Sequence, residues 1–208
     1  MNSERDNSPK RRHGRRRLLS RLIRSRDGAA ALEFAILAIP YFMVIFAIVE
    51  TFVAFSAEQL LSNAVNEVAR QIRTGQITYG LNRDTDKTEE EFRQLFCDEI
   101  SILMRCSETE AVKPEQLYLD VQTFTDFSKM PTGIPKVSND DFADLDTEKF
   151  IYNPGGPKTI NMVRAFYRWK ITADIVRPYI TTIRPADGSM PTDFLIVATA
   201  AFQNEAYP

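Results

Sequence analysis

The sequence predicts an α+β fold on a membrane anchor: a long N-terminal transmembrane helix that continues into a domain outside the cytoplasm. That domain is expected to hold a second helix and a small antiparallel β-sheet. Three observations lead there: an arginine-flanked apolar run long enough to cross a bilayer, two stretches of helical periodicity after it, and three strand-like stretches further on, two alternating and one apolar on both faces.

The anchor comes first. Residues 1–26 hold ten Lys/Arg against Glu4 and Asp6. This local +8 within a total of -2 leaves -10 on the rest of the chain, a basic tail attached to an acidic body. Ala29 to Phe55 follows, with Glu33 and Glu50 as its only ionisable members, and Phe34–Val49 carries no charge at all. As a helix the run is about 40 Å long, against a hydrocarbon core of about 30 Å. A polar face is missing, which is unusual for a core helix of so small a protein. The arginines then read as a positive-inside signal, with the N-terminus cytoplasmic. The run is longer than the apolar part of a cleaved secretory signal, although Ala54-Phe55-Ser56 could serve a signal peptidase. A nucleic-acid-binding arm is disfavoured because no aromatic residue sits among the arginines to stack on bases. Leu18–Arg26 is either a short amphipathic segment on the inner leaflet or merely a solvated basic stretch.

The domain boundaries follow: a basic leader over 1–28, a transmembrane helix over 29–55 and an α+β domain over 56–208. Beyond Ser56, the residues Leu60, Leu61, Ala64, Val65, Val68, Ala69 and Ile72 recur at helical spacing, so one helix of nearly 50 residues is expected. Thr74-Gly75 supplies its stop. A polar link, Gln76–Lys87, precedes a second helix. Thr88 and Glu91 fit a capping box, and Phe92, Leu95, Phe96, Ile100 and Leu103 form the apolar stripe. Strands are expected around Leu117–Gln122, around Val163–Ile171 and over Phe194–Phe202, the last apolar on both faces and so read as central. Ser128–Thr159 is long and rich in Asp, Asn, Pro and Gly; a loop of that length is usually functional or mobile. Pro40 favours a kink, either ordinary flexing or a means of bending on leaving the bilayer.

Little in the chain supports an enzyme. The single histidine, His13, lies in the basic tail, which removes His-based metal sites and the usual nucleophile–histidine pairs. Gly155-Gly156 lies between prolines and reads as a turn, not a phosphate loop. Asp140-Asp141 has no partner in view. Catalytic residues, metal ligands and cofactors are therefore not assigned.

Cys97 and Cys106 are the only cysteines. Nine residues of continuous helix would hold them about 13.5 Å apart, beyond the roughly 7 Å limit for a disulfide. Either the helix ends near Ile102–Leu103 and the chain bends back, or the thiols stay free. Glu33 is the other chemical signal, since a carboxylate within lipid suggests function through a paired charge. A headgroup-solvated or protonated glutamate reads equally well.

The segment Arg26-Asp27-Gly28-Ala29-Ala30-Ala31-Leu32-Glu33-Phe34 resembles the N-terminal signature of TadE/TadG-like pseudopilins, minor subunits of bacterial tight-adherence (Flp-type) pili. The resemblance implies cleavage by a prepilin peptidase between Gly28 and Ala29, with Glu33 and Phe34 as the fifth and sixth residues of the mature chain. It further implies an inner-membrane protein with its C-terminus in the periplasm, in or at the base of a pilus. Its partners would be the peptidase, other pilin-like subunits, inner-membrane assembly proteins and the lipid bilayer, with no nucleic acid. Similarity extends to Asn66–Gln76, to the cysteine pair and to Phe202–Tyr207, where Gln203 and Ala206 depart from the family's Arg-Asn-Glu-Pro-like pattern. The alternative function is an unprocessed anchored domain that binds a ligand or envelope protein through Ser128–Thr159.

Overall fold

The computed structural model describes residues 26–171, 177–184 and 189–207. The basic tail, including most of the Leu18–Arg26 segment, lies outside the described residues. The chain divides into two compact units, residues 1–48 and 49–208.

Helix α1 spans Arg26–Arg73 and continues through Pro40. Within the first unit the described part of α1 is exposed almost all round, Phe34 at 72% and Leu37 at 71%. Within the second unit one stripe of α1 is buried: Ala57, Leu61, Ala64, Val65, Val68 and Ile72. The spacing of i, i+4, i+7, i+8, i+11 and i+15 is one face of a helix, as the sequence predicts. Burying each large member stabilises the fold by about 1.5–3 kcal/mol. The helix stops at a Schellman motif. The Gln76 amide donates to the Gln71 carbonyl at 2.9 Å and the Gly75 amide to the Ile72 carbonyl at 3.1 Å. Gly75 has φ +76°, and a Cβ there would stand 2.6 Å from the Tyr207 ring. A left-handed turn and a ring packed on it both require glycine.

Helix α2, Glu89–Ile100, begins at the predicted capping box: the Thr88 hydroxyl accepts from the Glu91 amide, and the Glu91 carboxylate accepts from the Thr88 amide. Phe92, Phe96 and Ile100 are fully buried, with Leu95 and Leu103 packed alongside. The helix ends three residues after Cys97, and the chain turns so that Cys97 and Cys106 are disulfide-bonded with their Cα atoms 5.8 Å apart. After the turn, Glu110 is buried and one of its oxygens accepts from the amides of Glu115, Gln116 and Leu117, each at 2.8 Å. That carboxylate gathers the chain into the first strand.

Strands β1 (Leu117–Phe124), β2 (Ile160–Lys170) and β3 (Asp193–Gln203) form an antiparallel sheet in the order β1-β2-β3. Leu119 faces Ala165 and Val163 faces Ala200. One face of the sheet (Leu117, Leu119, Val121, Val163, Ala165, Tyr167, Ile196, Ala198) packs with the buried stripes of α1 and α2 in a single core.

The central strand is β2, not the Phe194–Phe202 strand that apolar content favoured; β3 lies at an edge. The reason is on the second face. Arg164 and Arg168 look like solvent-facing alternates, yet burial runs unbroken from Asn161 to Tyr167. Arg164 forms a buried ion pair with Asp120 on the neighbouring strand, at 2.6 and 3.1 Å, and Arg168 pairs with Asp144. The Ser128–Thr159 segment covers this face. Arg164 donates to the Gly133 carbonyl, Phe150 stacks on Phe166 at 5.0 Å, and Ile151 and Asn153 exchange backbone bonds with Val121. Leu145, Phe166, Ile183 and Leu195 close a second small core there.

Two outcomes follow from this packing. Asp120→Ala strands the buried Arg164 guanidinium and should cost about 3–5 kcal/mol, whereas replacing both partners by apolar residues of similar size should cost far less. Urea unfolding of the full chain in detergent separates the two. The second concerns Tyr167, whose hydroxyl lies 3.0 Å from the Arg105 carbonyl and from Gln116 Oε1. Burial pushes this phenol up from 10 to about 12, with the Glu110 charge adding to the rise. A raised folded-state value means the contribution is whole below pH 10 and is lost as pH rises through about 12. Thermal melts across that window should fall more steeply for the native chain than for Tyr167→Phe.

Candidate functional site

The predicted processing and assembly residues lie near the start of α1. Gly28 and Ala29 fall in its first turn, and Glu33 and Phe34 lie about one turn further on. Ala29 and Glu33 are four residues apart, so they share one face of the helix, one turn from each other. Ala29, Ala30 and Ala31 leave that end of the helix thin, which permits close approach of another helix. Glu33 is exposed and, among the described residues, takes part in no ion pair.

The surroundings of Glu33 determine what it can do. Leu32, Phe34, Ile36, Leu37, Ile39, Tyr41 and Phe42 are all at least half exposed, and no residue of the most apolar stretch is buried. Contiguous apolar surface on this scale marks a partner or a membrane. By length and composition α1 can cross a bilayer, which fits a single-pass anchor. A carboxylate on such a surface is costly unless a cation meets it.

Residues 28–70 match the family of TadE-like proteins. The match begins at Gly28, where the basic tail ends, and runs through Glu33 and Phe34 into the half of α1 that packs on the sheet. The TadE-like segment therefore contains both the exposed and the buried parts of the helix. No curated protein and no solved structure is significantly similar to the chain.

The features outside the TadE-like segment serve the fold. Asn204 is buried and donates to the Gly156 carbonyl and the Tyr207 hydroxyl, while the Glu205 amide caps the Arg73 carbonyl. The Phe202–Tyr207 similarity thus falls on residues that fasten the Asn153–Pro157 turn to the end of α1. A polar cleft of about 510 Å³ beside the long segment is lined by Asp144, Asp146, Glu148 and Arg168, among others. Its charges are largely used internally: Asp144 with Arg168, and Asp146 with Lys149. Among the described residues no group of three or more His, Cys, Asp or Glu is placed to hold a metal.

Sequence reasoning missed the charged residues that matter most to the second face. Asp120 and Arg164 were legible only as polar alternates of two separate strands. Their sign and matching parity were the available signal, and it needs the β1–β2 register to be read.

Proposed function

We propose that this chain is a minor pilin-like subunit for assembly of a tight-adherence pilus, processed by a prepilin peptidase after Gly28. The observation that carries the reading is the position of the TadE-like match, which starts at Gly28 and includes Glu33, a carboxylate on the exposed apolar part of α1. Cleavage at this point removes the basic tail that fixes the N-terminus in the cytoplasm. It leaves an α-ammonium at Ala29, near one membrane interface. Glu33 of a neighbouring subunit, staggered by one helical turn, then supplies the opposite charge within lipid. The three alanines let the two helices come close enough for that contact to exclude solvent. The acidic domain is carried on the periplasmic side of the inner membrane, with other pilin-like subunits and inner-membrane assembly proteins as partners.

Intact-mass measurement of the protein extracted from membranes should find a chain that begins at Ala29, and Gly28→Ala should shift the population toward the uncut form. A native chain that retains Met1 would refute the processing step. Glu33→Ala should insert normally and fold its outer domain, yet fail to co-purify with pilin-like subunits after mild crosslinking. Wild-type recovery of those subunits in the Glu33 variant would sink the pairing.

A further inference from the structure

The outer domain has an apolar cleft of about 230 Å³ that the pilus reading does not use. Its walls include Ala54 and Phe55 of α1, Trp169 and Ile171 at the end of β2, Phe194 at the start of β3, and Ile180. All of these belong to the second unit. Glu50 and Glu58 stand at two further lining positions, each two turns from the other through Ala54, so they bracket the greasy patch along the helix.

What fills the cleft is indicated by the chain that walls it. Ala54 and Phe55 are the last residues of the apolar run that begins at Ala29. The cleft thus lies at the end of the apolar run, where it gives way to the polar Ser56 and Glu58. Trp169 is the chain's single tryptophan, half-buried here, and its indole N–H has no acceptor among the described residues. An apolar ring with an unused donor is the side chain most enriched at the membrane–water interface, where the ring meets acyl chains and the N–H meets headgroup oxygens. Phe55 is 58% exposed beside it.

We infer that this cleft is a lipid site: the glycerol-proximal part of a phospholipid acyl chain from the outer leaflet enters between α1 and the Trp169–Phe194 end of the sheet. The site seats the base of the domain in the interfacial layer and limits its swing about the anchor. This inference rests on the anchored reading given above, since the lipid is supplied only where α1 spans a bilayer.

Because Trp169 is alone, its fluorescence reads the cleft directly. The full chain is reconstituted in vesicles of phosphatidylethanolamine and phosphatidylglycerol, and flotation first establishes insertion. Acyl chains brominated near the glycerol end should quench most of the emission. Chains brominated near the methyl end should quench much less, and aqueous acrylamide should have little effect. A Trp169→Phe, Tyr79→Trp double variant places the reporter on the 76–87 link, and there acrylamide should quench while brominated lipid does not. Free acrylamide access to Trp169 without lipid quenching would mean a wet cleft and overturn the site. Shielding from both quenchers would mean that a protein segment fills it, and overturns the site equally. Stronger quenching from the methyl end refutes the interfacial depth. A chain that does not float with the vesicles overturns the anchored reading itself, and the lipid site with it.

Discussion

The buried stripe of α1 is the constraint on which the 49–208 unit depends. Ala57, Leu61, Ala64, Val65, Val68 and Ile72 supply the surface against which α2 and one face of the sheet close. Remove that stripe and the sheet has no partner layer, since three strands need a packed face to be stable. The same helix has no such stripe over its exposed part, which is long and apolar enough to cross a bilayer. A single continuous element therefore meets two different requirements, all-round apolarity and then one-sided amphipathicity, and the change of pattern falls near Ser56.

Small domains rarely have enough chain to cover both faces of a sheet with helices. Here the second face is closed by an irregular segment held by charge. The Asp120–Arg164 pair is buried under it, and Gln122 and the Ile151 amide satisfy the other oxygen of Asp120. Such a pair contributes little net stability against an apolar alternative of the same shape, but breaking it is expensive. Its effect is to fix which part of the segment lies over which strand, because Arg164 also reaches the Gly133 carbonyl. The length of Ser128–Thr159 is spent on covering a surface.

How much of this was legible in the sequence varies with the range of the interaction that decides it. The extent of α1, its Gly75 stop and the Thr88–Glu91 box are local matters of spacing and capping, and they read directly. The three strands were also visible, two from their alternation and the third as a run apolar on both faces. Strand order was not, because Arg164 and Arg168 disguise the most buried strand and the alanines of β3 mimic a central one. The ion partners come from Asp120 and Asp144, distant in sequence, and only pairing register brings them together. At the candidate site, the placement of Gly28, Glu33 and Phe34 on one helix was readable because it depends only on local spacing. The Trp169–Phe194 cleft was not, because its walls come from segments far apart in the sequence.

The Cys97–Cys106 bridge has a consequence for the history of each molecule. The two thiols meet only because α2 ends at Ile100 and the chain folds back, so the pair is competent for oxidation once that turn has formed. Oxidant sufficient to close and keep such a bond is found outside the cytoplasm and is scarce within it. Whether the bridge is closed therefore reports the redox character of the compartment in which the domain matured.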